Sequence, residues 1–307
     1  MNTQSSALPE SFGSQATAPL AIPATRRMYW SVRRELWDNR FIYVAPLGVA
    51  AVFLLVFSLT LVRLPHKLRA LSDAAQRHHA LSLPYELSAG LIMGAALLVG
   101  LYYAVDALYS ERRDRSILFW KSLPVSDLTA VLSKLAIPLV IVPLLSFVIT
   151  VVTQFIMLVL SSLVLMGSGL SVSELWSHSS FLQVSLIVLY HIVLVHGLWY
   201  APIYGWLLLV SAWAPRAPLV WAALPPFVIC GVEKIAFNTT HFLRMLELRF
   251  AGPPPHAATA SGNARMDMAA QLIPAHFFSE PGLWIGIAIA AIFLAGAVRL
   301  RRYHGPI

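Results

Sequence analysis

Charge is the first thing this sequence is short of. Only 12% of its 307 residues are Asp, Glu, Lys or Arg, about half the share of an ordinary soluble domain. Meanwhile 58% are hydrophobic and the mean hydropathy is +0.71. A chain of that composition has more apolar surface than one water-exposed globule can bury, so most of it belongs in lipid. Acid is scarcer than base, 14 residues against 22, for a formal net charge of +8. The basic residues flank apolar runs, which points to anionic lipid headgroups and excludes a nucleic-acid face. Cys230 is the single cysteine; it can form no internal disulfide and says little about compartment. No GxxxxGK(S/T), HExxH, GxSxG or GxGxxG motif occurs, and nothing resembles an ion-selectivity filter. The sequence therefore predicts no catalytic motif, no metal site and no cofactor bound by this chain.

What is there is a succession of long apolar runs. Six are long enough for the roughly 20 helical residues that cross about 30 Å of hydrocarbon, near 41–62, 86–109, 135–166, 184–211, 218–238 and 281–300. The fold class expected is an all-α integral membrane protein with about six spans. Pro138 and Pro143 predict a kink or interfacial first turn in the third run, Pro202 a kink in the fourth, and Pro225 with Pro226 a distortion of the fifth. Such breaks are tolerated in lipid only where neighbours satisfy the freed carbonyls. Residues 1–21 lack the basic and apolar regions of a signal peptide and are expected to form a disordered cytoplasmic tail.

Basic residues orient the spans. The N-terminal segment holds Arg26, Arg27, Arg33, Arg34 and Arg40. The second connection adds Arg112, Arg113, Arg115, Lys121 and Lys134, the fourth adds Arg216, and the C-terminus adds Arg299, Arg301 and Arg302. The opposite side has four in the first connection (Arg63, Lys67, Arg69, Arg77) and three in the fifth. With an even helix count, both termini are expected in the cytoplasm.

The stretch RRMYWSVRRELWDNRF, Arg26 to Phe41, is amphipathic at helical spacing. Tyr29, Trp30, Val32, Leu36, Trp37 and Phe41 fall on one side; Ser31, Glu35 and Asp38 fall on the other. Arg26, Arg33 and Arg40 recur every seven residues on the apolar side, where their stems can snorkel to phosphates. This predicts a membrane-interface helix over 22–40, with Trp30 and Trp37 among its anchors.

The loop Glu111–Asp127, ERRDRSILFWKSLPVSD, sets a dense charge cluster against Ile117, Leu118, Phe119 and Trp120. Pro124 ends the short helix, and Ser126 is a plausible N-cap for the next. A short helix charged at one end and bulky at the other suits a cleft on another protein, where aromatic and Arg side chains supply most of the binding energy. The alternative is a positive-inside loop whose apolar residues dip into the headgroups.

At Glu111, Arg112, Ser116, Trp120, Ser122, Leu123, Pro124, Val125, Ser126, Ser133 and Lys134 the chain resembles the permease subunits of ABC-2-type ABC transporters. The resemblance implies the type V-like architecture: a connecting helix at Arg26–Arg40 and a permease domain over 41–302. Within that domain it implies a cytoplasmic coupling loop at 110–127 and an extracytoplasmic segment at 239–280 that forms re-entrant helices. It further implies that Glu111, Arg112, Arg113, Asp114, Arg115 and Trp120 form the element that docks on a separate cytosolic ATPase. ATP and Mg would sit on that partner, and a second permease subunit, identical or different, would complete the transporter. The implied setting is a bacterial cytoplasmic (inner) membrane and the commoner direction is export. From the residues alone, 239–280 reads equally well as a surface loop with two amphipathic pieces.

Ionisable residues inside spans are costly and become default functional candidates. Glu233 and Lys234, near the outer end of the fifth run, could line a substrate path or snorkel outward. His191 and His196, five apart, do not converge as i, i+4 metal ligands do. An intramembrane enzyme built on His191, His196, His241 or Glu233, and a membrane scaffold, are the alternatives to a transport subunit. Sparse buried charge suits a lipophilic or amphipathic substrate better than a small ion.

Overall fold

A computed structural model describes residues 23–71, 73–122, 125–169, 189, 197–251, 278–303 and 305. Their regular structure is helical: α1 (Ala24–Asp38), α2 (Phe41–Leu61), α3 (Leu64–Ala70), α4 (Ala74–Asp106), α5 (Tyr109–Arg113), α6 (Ser116–Ser122), α7 (Asp127–Ala136), α8 (Val142–Gly167), α9 (Ala201–Trp213), α10 (Pro218–Phe237), α11 (His241–Ala251) and α12 (Pro281–Tyr303). The tail 1–21, His191, His196 and most of 252–280 lie outside the described residues.

Among the described residues, five helical stretches are long and apolar enough to cross a membrane: Phe41–Leu61, His79–Arg113, Asp127–Gly167, Pro218–Phe237 and Pro281–Tyr303. The sequence predicts six. The fourth run, 184–211, is represented among the described residues by α9, whose 13 residues reach only about 20 Å. Outward faces carry large apolar side chains, with Phe227 74% and Ile235 88% exposed. Water would penalise such a surface; hydrocarbon solvates it.

Helices α2, α4 and α8 pack together through Ala50, Ile92 and Ile149, and further along through Phe57, Leu61 and Met157. Helix α9 lies along α12 and touches α4. At their crossing a Cβ on Gly205 would come within 3.3 Å of the Ala290 carbonyl oxygen, so the small residue sets how closely the two backbones approach. Helix α10 stands largely apart, burying only Ala222.

The prolines act by position. The helix that Pro138 interrupts continues as a π-helical turn, Ile137–Ile141, which carries α7 into α8 as one 41-residue helix. Pro202 starts α9 instead of kinking it, because a first-turn proline has no N–H bond to lose. Pro225 and Pro226 lie inside α10 without ending it. Pro226 cannot donate to the Ala222 carbonyl, and Trp206 Nε1 of α9 donates to that oxygen instead at 3.0 Å.

Polar contacts gather at the two ends of the bundle. At one end meet α1, α5, α6, α7 and the last turns of α9 and α12. At the other, Arg69 donates to Ser168 O, Trp199 to Arg249 O, and Arg249 to Gly282 O, joining α3, the end of α8, α11 and the start of α12. These are the groupings that the Lys and Arg distribution predicts for the two sides.

Candidate functional site

Helix α4 breaks at Ala107–Leu108 before α5 begins. A break leaves backbone donors without acceptors in a buried place. The fully buried Ser211 hydroxyl of α9 accepts both, from Leu108 N and Tyr109 N, each at 2.9 Å. One turn later Arg112 Nη1 donates to Ala212 O at 2.7 Å and Ala214 O at 3.3 Å, satisfying carbonyls at the C-terminus of α9 and meeting the negative end of its dipole. The chain then turns through Arg115, at φ 57° in the left-handed region, and enters α6.

Glu111 sits where three cations converge. One carboxylate oxygen is 3.1 Å from Arg34 and 3.2 Å from Lys134; the other accepts from Arg301. Glu35 of α1 lies 2.6 Å from Arg34 and 3.0 Å from Lys134, and its second oxygen accepts from the Tyr103 hydroxyl at 2.7 Å. Arg301 closes the chain on Asp127 at 3.2 Å. Three cations (Arg34, Lys134, Arg301) thus alternate with three carboxylates (Glu35, Glu111, Asp127), joining α1, α5, α7 and α12, with α4 added through Tyr103. Glu35, Glu111, Lys134 and Arg301 are all buried. A single buried charge would cost several kcal/mol, and removing one member of a pair strands the other; alternating charges and the hydrogen bonds between them make the cluster tolerable. Burial alone would raise the Glu35 carboxyl, but Lys134, Arg34 and the Tyr103 hydroxyl outweigh it and hold the group below the usual carboxylate range.

The six residues predicted to dock a partner therefore divide. Glu111 and Arg112 are buried and turned inward, the first into the ion cluster and the second onto α9. Arg113 and Asp114 pair with each other at 2.9 Å on the surface, and Arg115 is exposed beside them. Trp120 is half-buried under the Arg34 guanidinium, 3.5 Å from its ring centroid. Helix α6 buries Ile117 but leaves Leu118 59% and Phe119 60% exposed. Lys121 holds its end against Arg302 O, and Ser126 caps α7 by accepting from Thr129 N, as the sequence predicts.

On α1 the predicted faces are partly reversed. Val32, Leu36 and Phe41 pack on the bundle, but Tyr29, Trp30 and Trp37 point away from it, and Glu35, assigned by periodicity to the polar side, is the most buried residue of the helix. Lys134 and Tyr103 draw Glu35 inward, so the face centred on 32, 35 and 36 is the covered one. Arg33 lies over both Trp30 and Trp37, at 5.0 and 5.1 Å, an outward cation–π stack flanked by the exposed Arg26 and Arg40.

Glu233 and Lys234 are not brought together. The Glu233 carboxylate accepts from His241 N, Phe242 N and Thr239 Oγ1 at 2.6, 2.9 and 2.8 Å, capping the first turn of α11. Lys234 is exposed. Among the described residues no group of three His, Cys, Asp or Glu side chains is placed to hold a metal ion.

The site residues that sequence reasoning leaves unassigned are Glu35, Tyr103, Ser211 and the pairing roles of Arg34, Lys134 and Arg301. Lys134 carries the one readable signal, since it shares a helical face with Val131, Leu135 and Pro138 instead of facing water. Comparison of the chain with protein-family models, with curated proteins and with solved structures found no match.

Proposed function

We propose that the chain is the membrane-spanning subunit of an ATP-driven ABC transporter of the ABC-2 type, working as an exporter in a cytoplasmic membrane. Its substrate pathway lies between helices of this chain and of a second permease subunit. A separate cytosolic ATPase, carrying the ATP and Mg, docks on α6 and on the surface charges of Arg113, Asp114 and Arg115. The observation that carries this reading is the mounting of α6. Leu118 and Phe119 are offered outward on a seven-residue helix, and that helix is bolted through α5 to a buried ion cluster that reaches α1, α7 and α12. A push on α6 is thereby delivered to helices of the bundle at once and not absorbed by a slack loop. Glu111 and Arg112 transmit that push and do not touch the partner.

An alternation between two arrangements of the bundle, biased by how each fits the closed or open ATPase pair, would move a substrate. The intramembrane-enzyme alternative draws no support from Glu233, whose oxygens are committed to the cap of α11.

The test is affinity purification of the full chain from its native membrane, followed by identification of ATP-binding partners. The wild type retains an ATPase, and Leu118→Asp loses it while membrane insertion and folded yield are unchanged. Retention of no ATP-hydrolysing partner by the intact wild-type chain contradicts the assignment.

A further inference from the structure

The opposite end of the bundle holds a feature the transport reading does not use. The connection from α2 through the first turn of α4 carries Arg63, His66, Lys67, Arg69 and Arg77 against a single acid, Asp73, on the side where positive charge is normally sparse. Two of these cations have visible employment on backbone: Arg69 donates to Ser168 O and Arg77 to Leu71 O, both at 2.7 Å. Arg63 and Lys67 are exposed and form no ion pair among the described residues.

Both line the mouth of a cavity of about 230 Å³. Its walls, Phe57, Leu61, Leu64 and Leu81, are buried or half-buried and apolar, and the compact Ala80 and Pro84 leave the space open. Deeper in stand Tyr85 of α4 and Ser161 of α8. Arg63 follows the last turn of α2, whose Phe57 and Leu61 form one wall of the slot, with Leu64 of α3 and Leu81 of α4 forming the others. The cations are thus at the level of lipid headgroups with an oily slot immediately beneath. Two exposed cations over an apolar slot match one ligand chemistry: an anionic headgroup carrying a hydrocarbon chain.

We propose that this cavity is a binding site for an anionic amphiphile, with Arg63 and Lys67 holding a phosphate or carboxylate headgroup and Phe57, Leu61, Leu64 and Leu81 taking the start of its chain. The site stands on its own residues and does not depend on an ATPase partner.

Native mass spectrometry of the purified full chain in detergent tests it, using phosphatidylglycerol and phosphatidylcholine of identical chains as probes. The wild type retains phosphatidylglycerol on the order of tenfold more strongly. The double variant Arg63→Gln, Lys67→Gln loses that preference with an unchanged unfolding temperature. Arg26→Gln, Arg27→Gln, which removes the same charge from the other end, keeps it. Equal retention of the two lipids by the wild type overturns the proposal, as does loss of preference in the Arg26, Arg27 variant alone. Millimolar inorganic phosphate leaves the lipid bound; displacement by phosphate would assign the cations to a soluble anion and overturn the amphiphile.

Discussion

The two ends of the bundle use their cations in opposite ways. At the α1 end Arg34, Lys134 and Arg301 are drawn into the protein because three carboxylates meet them there. At the α3 end Arg69, Arg77 and Arg249 donate to backbone carbonyls while Arg63 and Lys67 stay outside. Lysine and arginine counts treat these as the same residues on two sides. Their neighbours make one set an internal fastener and leave the other free for a ligand. The lesson is that a basic residue at a membrane boundary is defined by whether an acid is within reach of it.

The hardest way to break the comparison is at Glu111. Replacing it by Gln leaves Lys134, Arg301 and Arg34 short of a counter-charge, and thermal unfolding in detergent should show a loss of about 3–5 kcal/mol. Arg113→Gln, two residues away on the surface, should stay within about 0.5 kcal/mol. A Glu111, Arg301 double-mutant cycle should give strong coupling, and additive losses would deny the cluster its role. A smaller loss, about 1–3 kcal/mol, is expected from Ser211→Ala, which orphans the Leu108 and Tyr109 amides; faster hydrogen exchange at those amides would report it directly.

Acid should weaken the cluster end selectively. The folded Glu35 carboxyl titrates below its ordinary value of 4.5, so its stabilisation is complete above that value and is lost as pH falls through the lower, folded one. Unfolding temperature should therefore owe nothing to Glu35 titration between pH 6 and 8 and fall under stronger acid, with a shallower fall in Glu35→Gln. An equal acid slope in that variant would remove Glu35 from the account. The smallest effect belongs to the other end: Arg63→Gln with Lys67→Gln should change stability by less than about 0.5 kcal/mol, since neither side chain is in an ion pair among the described residues.

Much of the architecture was legible because lipid imposes simple rules of length and composition. The runs predicted at 41–62, 218–238 and 281–300 correspond to Phe41–Leu61, Pro218–Phe237 and Pro281–Tyr303. The helix before the first span, the short helix after the second span and the Ser126 cap were also readable, each from local pattern. The ion cluster was not. Glu111 pairs with Arg301 across 190 positions and Lys134 with Glu35 across 99, and no local pattern selects partners at that distance. Periodicity gave α1 two faces without saying which of them its neighbours cover, which is why Glu35 and Trp37 exchanged places. A charge run normally faces water, so ERRDR reads as surface, whereas the break in α4 turns its first two members inward.

Most of this rests on α6 being a handle held firmly from within and gripped from without. Placing a photo-crosslinking phenylalanine analogue at position 119 of the full chain in its native membrane tests that directly. The account predicts a crosslink to a cytosolic ATP-binding protein that disappears with Leu118→Asp. Adducts to lipid alone, or labelling of Arg113→Cys only from outside the cell, would contradict it.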